Sequence, residues 1–213
     1  MKIFIFEPNG RTNTAKYVKN IIQNEQKVFT SSGSIYKSEV EEPVFGKYHS
    51  SKGLGKLGYY LLGWIRAVVK VSKRDIFHYH WLKLSPLDFF FIMLLKRKGV
   101  QVIGTVHNIL PHERMFYDDY FFARIYKWSN VLIFHTEGIL ETFIAKFSIP
   151  KNKFKIISHY YDPVTIEQQK EIPEKMLFFG NIRHYKGLEL LIEAIKLLPS
   201  KKGWELCVAG RPE

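Results

Sequence analysis

Short runs of apolar, β-branched and aromatic residues alternate along this chain with longer amphipathic segments, and that alternation leaves few folds open. A strand buried on both faces reads as a nearly continuous apolar run, and its parallel neighbour is reached only through a crossover, usually a helix. The pattern predicts an α/β protein built on a parallel, Rossmann-like sheet. Strands are expected at 2–6, 27–30, 75–80, 101–106, 131–134 and 154–158, with helices in most of the gaps. Ser85-Pro86-Leu87-Asp88 reads as a helix start, the serine side chain capping and the proline at the first helical position, and Lys98-Gly99 as its end. Residues 31–52, rich in Ser, Gly and Glu, read as a mobile loop.

The organisation changes near Pro163. Residues 1–163 are expected to form one domain, and 164–174, polar and bracketed by prolines, a linker. From 175 the alternation restarts, with a strand at 175–179, a helix at 186–198 and a strand at 204–208. Two strands cannot bury both faces of a parallel sheet alone. The expectation is therefore a second Rossmann-like domain cut early, or a fragment that packs against something else.

Bulk properties narrow the setting. With 46% hydrophobic and 24% charged residues the chain can bury a sizeable core, so disorder is not expected. The single cysteine, Cys207, excludes an intrachain disulfide, and the apolar run in MKIFIFEPNG is too short for a signal peptide. The richest apolar stretch, Leu84 to Leu95, is broken by Ser85, Pro86 and Asp88 and does not reach spanning length. A cytoplasmic protein is expected. The formal charge of +12 reflects either an anionic partner or simply solubility. No zinc finger, RNP-type strand or GxxG clamp is present, which sets nucleic acid aside and leaves nucleotide phosphates and anionic lipid.

Three segments carry candidate chemistry. The first runs from Phe6 to Thr14, where Gly10 and Asn13 sit in a turn that either faces a ligand with its amides or is simply tight; it is not a GxGxxG fingerprint. The second is the pair Phe77-His78-Tyr79-His80-Trp81 and Thr105-Val106-His107 through Pro111-His112-Glu113, each at the end of an expected strand. Ligands gather at such carboxyl edges, and imidazoles there suit phosphate oxygens or sugar hydroxyls. Strand alternation puts His78 and His80 on one face; His78 reads as a hydrogen-bonded core residue and His107 as functional. The third is Phe178 to Leu188, a strand that runs into Gly180, Arg183, Lys186 and Gly187 just before a helix. Guanidinium, ammonium and helix amino end together read as a diphosphate site, against the plainer reading of a surface turn with solvated cations.

Residues 54–73 form an amphipathic helix. Leu54, Leu57, Leu61, Trp64, Ile65 and Val68 share a face expected to pack on the sheet, while the basic face of Arg66, Lys70 and Lys73 is left for water or an anionic membrane surface.

HYHW, TVHNILPHE and above all FFGNIRHYKGLELLIEAI resemble glycosyltransferase family 4 and its relatives of the GT-B fold over nearly the whole chain. The resemblance implies transfer of a sugar from a nucleotide-sugar donor to a glycan or lipid-linked acceptor, in surface polysaccharide or glycolipid synthesis. It places Arg183 and Lys186, with Gly180 and Gly187, on the donor diphosphate. Asn181 directly follows Gly180, where many members have the arginine. The resemblance also puts His107 near the donor sugar and phosphates, and Gly10 and Asn13 in the cleft. His80 and His112 are further cleft candidates, and Glu113 could orient an acceptor hydroxyl. The family's paired glutamates with seven residues between them do not follow, so this chain alone is expected to be inactive. No Asp-x-Asp motif is present, so neither a metal nor a cofactor beyond the nucleotide-sugar co-substrate is expected, and peripheral contact with the inner face of the membrane is. Two rivals stand beside this reading: a metal-dependent hydrolase with His78 and His80 as an H-x-H pair joined by His107 or His112, and a non-enzymatic remnant or acceptor-binding half that needs a separate donor domain.

Overall fold

The computed structural model describes residues 1–23, 26–111, 114–159, 174–198 and 203–211. The chain divides into two compact units, Met1–Tyr161 and Asp162–Glu213. Of the expected linker only Glu174 lies within the described residues.

The first unit runs β1 (Ile3–Phe6), α1 (Asn13–Ile21), β2 (Gln26–Phe29), β3 (Glu41–Glu42), α2 (Gly53–Lys70), β4 (Ile76–Tyr79), α3 (Ser85–Arg97), β5 (Gln101–Val106), α4 (Asp118–Trp128), β6 (Val131–Phe134), α5 (Glu137–Lys146) and β7 (Phe154–Ile156). All its strands are parallel, in the order β3-β2-β1-β4-β5-β6-β7. The chain leaves β1 toward one edge and returns through β4 toward the other. The carboxyl ends of β1 and β4 therefore flank the switch point where open α/β sheets bind ligands.

Period-2 alternation sorts side chains between the faces. Phe4, Phe6, Phe77 and Tyr79 join Tyr60 and Trp64 of α2 and Phe91 and Ile92 of α3 in one buried cluster, whereas Ile5 packs with Ala15 and Val18 of α1 on the other side. The larger cluster is strongly aromatic: the Trp64 and Phe91 rings stack 5.3 Å apart and the Phe6 ring lies 4.4 Å from Trp64. Such rings bury large areas and add about 0.5–1.5 kcal/mol per well-oriented pair.

Three local expectations are corrected. Residues 31–52 are not a loose loop: β3 pairs with β2, Phe45 is fully buried, and its ring meets Phe6 edge-on at 5.4 Å. Aromatic anchors hidden among Ser, Gly and Glu tie the segment down. Ser85 does not cap α3, because Leu84 is the cap residue and the Ser85 hydroxyl instead donates to Asp118 at 2.6 Å. The capping is done by Asp88, whose carboxylate reaches back to the Lys83 and Leu84 amides at 2.9 and 2.8 Å and also accepts from Tyr60 and Trp64. Burial raises its pKa to about 6, against the pull of those donors.

The third correction concerns α2. Its buried residues are Tyr60, Gly63, Trp64 and Ala67, while Leu54, Leu57, Leu61, Leu62, Ile65 and Val69 point outward. Of the basic residues, Arg66 donates to the Val44 carbonyl and Lys70 pairs with Glu42. The helix thus presents an apolar stripe to solvent, and among its residues none is acidic. No helix among the described residues is long and apolar enough to cross a membrane.

The second unit contains β8 (Lys175–Phe179), α6 (Leu188–Lys196) and β9 (Glu205–Ala209), with β8 and β9 parallel in full register. No described residue of this unit is buried, and Leu177, Phe179 and Leu190 lie open on its faces. Cys207 is an exposed free thiol on β9.

Candidate active site

The β1–α1 loop is closed by Glu7, a buried carboxylate that the sequence reading passed over. It accepts from the Gly10 amide at 2.6 Å, the Thr14 hydroxyl at 2.9 Å and the Tyr36 hydroxyl at 3.4 Å. Burial first, then the Glu7 charge, holds the Tyr36 phenol far above its ordinary range. Gly10 sits at φ +78°, and a Cβ there would run into Thr30 and Ser34. Its amide is therefore spent on the chain's own carboxylate, and Gly10 shapes the turn instead of presenting an amide to a ligand. Asn13 opens α1 and is exposed.

Histidines dominate the carboxyl edge of the neighbouring strands. His78 is the core residue its face implies, with Nε2 2.8 Å from the Thr105 hydroxyl, and burial lowers its pKa to about 4. His80 is almost fully buried; its Nδ1 lies 3.2 Å from Nε2 of His107, and its own Nε2 has no hydrogen-bond partner among the described residues. His107 follows β5 directly. Trp81 stacks flat on its ring, centroids 4.0 Å apart at 11°. Burial and then the imidazoles of His135, His159 and His78 lower the His107 pKa to about 3, and burial drives His80 well below its ordinary value. These rings are neutral at physiological pH, available as acceptors and lone-pair ligands, not as cations.

Two further histidines that the sequence reading missed complete the group. His135 directly follows β6, its Nδ1 donating to the Ile157 carbonyl at 2.8 Å and its Nε2 3.3 Å from the Tyr17 hydroxyl. His159 follows β7, with its ring 4.8 Å from those of His135 and Tyr17. Tyr17 of α1 sits at the centre, meeting His80, Trp81, His107 and His135 edge-on. The signal that could have found them is position: each lies just past the carboxyl end of an expected strand. Beside His107 a cavity of about 560 Å³ is lined by Asn108, Ile109, Leu110, Thr136, Ile139 and Thr142. His112 and Glu113 lie outside the described residues. The H-x-H pair does not act as one: His78 turns to Thr105 and His80 to His107.

In the second unit β8 runs into Gly180 at φ +125°, and Gly210 approaches so closely that a Cβ there would strike the Gly180 carbonyl. The Gly180 amide bonds the Ala209 carbonyl and the Ile182 amide that of Arg211, which fixes the turn. Arg183, half-buried, precedes a 3-10 turn, His184–Lys186, and Lys186 is exposed with its ammonium 5.6 Å from the Tyr185 ring. Gly187, in the left-handed region at φ +73°, is the cap residue of α6 and has no side chain with which to cap it. A glycine is needed there because an L side chain is strained at that φ, and the turn brings Arg183, Lys186 and the amino end of α6 into one short segment.

The parallel sheet of alternating strands and helices, with its ligand edge and the β-α-β start beyond it, has the GT-B type of fold seen in solved neighbours. Residues 24–164 match the family described as Glycosyltransferase Family 4, and the chain belongs to that family. Two relatives, both GDP-mannose:glycolipid 4-beta-D-mannosyltransferases of Xanthomonas campestris pv. campestris, are 27% identical over 156 residues; the match covers 67% of this chain and 43% of each relative. The chain thus spans less than half of their length. Among solved structures, HepE of Anabaena in complex with UDP superimposes with a TM-score of 0.68 at 14% identity, covering 100% of this chain and 62% of HepE. TarM gives 0.56 at 16% identity, covering 72% and 31%.

Proposed function

We propose that this protein transfers a glycosyl group from a nucleotide-sugar donor to a glycan or lipid-linked acceptor at the cytoplasmic face of a membrane, in surface polysaccharide or glycolipid synthesis. The observation that carries the reading is the β8–α6 turn, which gathers Arg183, Lys186 and the amino end of a helix within a few residues. Breaking the bond between sugar and diphosphate puts negative charge on the departing oxygen, and fixed positive groups lower the barrier by stabilising that charge as it forms. His107, held neutral and clamped by Trp81 and His80, is placed to accept a hydrogen bond from a sugar hydroxyl or donate one to an oxygen. The names of the relatives support GDP-mannose as the first donor to try and a glycolipid as the first acceptor. The outward stripe of α2, which carries no acidic residue, is assigned to anionic lipid, where such an acceptor resides.

The test is nucleotide binding by calorimetry together with transfer of labelled mannose to a lipid-linked saccharide. Arg183→Ala and Lys186→Ala should each weaken GDP binding about tenfold, the worth of a charge-assisted hydrogen bond. His107→Ala should lower turnover with nucleotide affinity unchanged. Unchanged GDP affinity in the Arg183→Ala, Lys186→Ala double variant would overturn the diphosphate assignment. Binding without transfer would favour a donor-binding role over catalysis.

A further inference from the structure

We propose that His107, His135 and His159 form a binding site for a late first-row divalent cation, with zinc as the best fit, a use of the His107 ring that competes with its proposed contact to the sugar. The argument begins with topology. β5, β6 and β7 are adjacent in the sheet, with Val106 in register with Phe134 and Phe134 with Ile156. His107 and His135 are each the next residue after these strands, and His159 comes three after β7. Neighbouring strands lie about 4.8 Å apart, so residues leaving the same register converge at one edge. One ring nitrogen from each of the three histidines lies within 4.8 Å of the other two.

Tetrahedral zinc with bonds of about 2.0–2.1 Å needs nitrogens roughly 3.4 Å apart. The remaining movement is on the order of an ångström. His135 already has the outer arrangement that metal-binding histidines use: its Nδ1–H is held by the Ile157 carbonyl, which leaves the Nε2 lone pair facing the cluster. The Tyr17 hydroxyl, 3.3 Å away, donates to that Nε2 in the metal-free chain and has to turn aside when the ion binds. The His107 ring is fixed by Trp81 on its face and by His80 at Nε2, so its Nδ1 lone pair is the one left to coordinate when Nε2–H donates to His80. In that tautomer His80 carries its proton on Nε2, the buried atom with no partner among the described residues.

The donor set selects the ion. Magnesium and calcium require oxygen ligands, whereas an all-imidazole set suits zinc, copper or nickel. Three protein ligands leave a fourth position for water or an anionic oxygen.

The test uses the full 213-residue chain, stripped with chelator and titrated with zinc against a chromophoric competitor. One equivalent should bind, and cobalt in its place should give the visible absorption of a four-coordinate site. His159→Ala and His135→Ala should each weaken zinc binding about tenfold or more, with an unchanged denaturation midpoint showing that each variant is folded. His184→Ala, on the second unit, should not. Absence of a stoichiometric zinc, or equal affinity in the His159→Ala and His184→Ala variants, would overturn the site.

Discussion

His78 shows how one buried side chain writes a pH dependence into the fold. Its pKa is about 4 in the folded chain against an ordinary 6.5, so between those values the unfolded chain holds the extra proton. The stability carried by the neutral ring is therefore complete above pH 6.5 and is lost as pH falls toward 4. Asp88 acts in the opposite sense, since its raised pKa of about 6 favours the folded state on the acid side of that value. His78→Gln, which keeps a hydrogen bond to Thr105 and cannot titrate, should flatten the loss of urea midpoint between pH 6.5 and 4. A slope identical to that of the unaltered protein would show that His78 does not set it. The polarity of HYHW was readable from the sequence, because strand alternation alone assigns His78 and His80 to one face. That His80 would turn to His107 was not, since the pairing depends on which strands are neighbours.

At the scale of elements, α2 separates what local pattern decides from what packing decides. The strands at 101–106, 131–134 and 175–179 coincide with β5, β6 and β8, because short apolar runs bounded by polar residues have few alternatives. The face of α2 was placed only in part: Trp64 and Val68 pack on the core, but Leu54, Leu57, Leu61 and Ile65 turn out, because leucines and aromatics define two overlapping apolar arcs. The core takes the arc with Tyr60 and Trp64, whose polar atoms both reach Asp88. Gly63 lies on that buried side beneath Phe45, and a Cβ there would overlap the ring. Gly63→Ala gains about 1 kcal/mol of helix propensity and loses about 1–3 kcal/mol to overpacking, so a net loss of stability is expected. Gly55→Ala, with open space around it, should stabilise by up to about 1 kcal/mol. Denaturation midpoints moving in the same direction for both would refute this placement of the helix. His135 and His159 escaped the sequence reading for a related reason: each is unremarkable in its own segment, and only the β5-β6-β7 adjacency brings them to His107.

For the molecule as a whole, the +12 charge and the bare stripe on α2 point to the same surface chemistry. Leu61 and Ile65 are 40% and 44% exposed, so each can place a part of its side chain into an interface, worth about 1 kcal/mol. Leu61→Glu and Ile65→Glu should each weaken binding to vesicles containing anionic lipid several-fold in a sedimentation assay, and both together should abolish it. Undiminished binding would detach α2 from the membrane. The sheet order carries a consequence for synthesis. β1 precedes the other strands of its sheet in the chain yet lies inside it, and Ile3 must wait for Ile76 before its second edge is covered. A ribosome paused between β2 and β4 holds a nascent chain whose interior strand β1 is half-paired, and chaperones that shield unfinished sheets have their target in that interval.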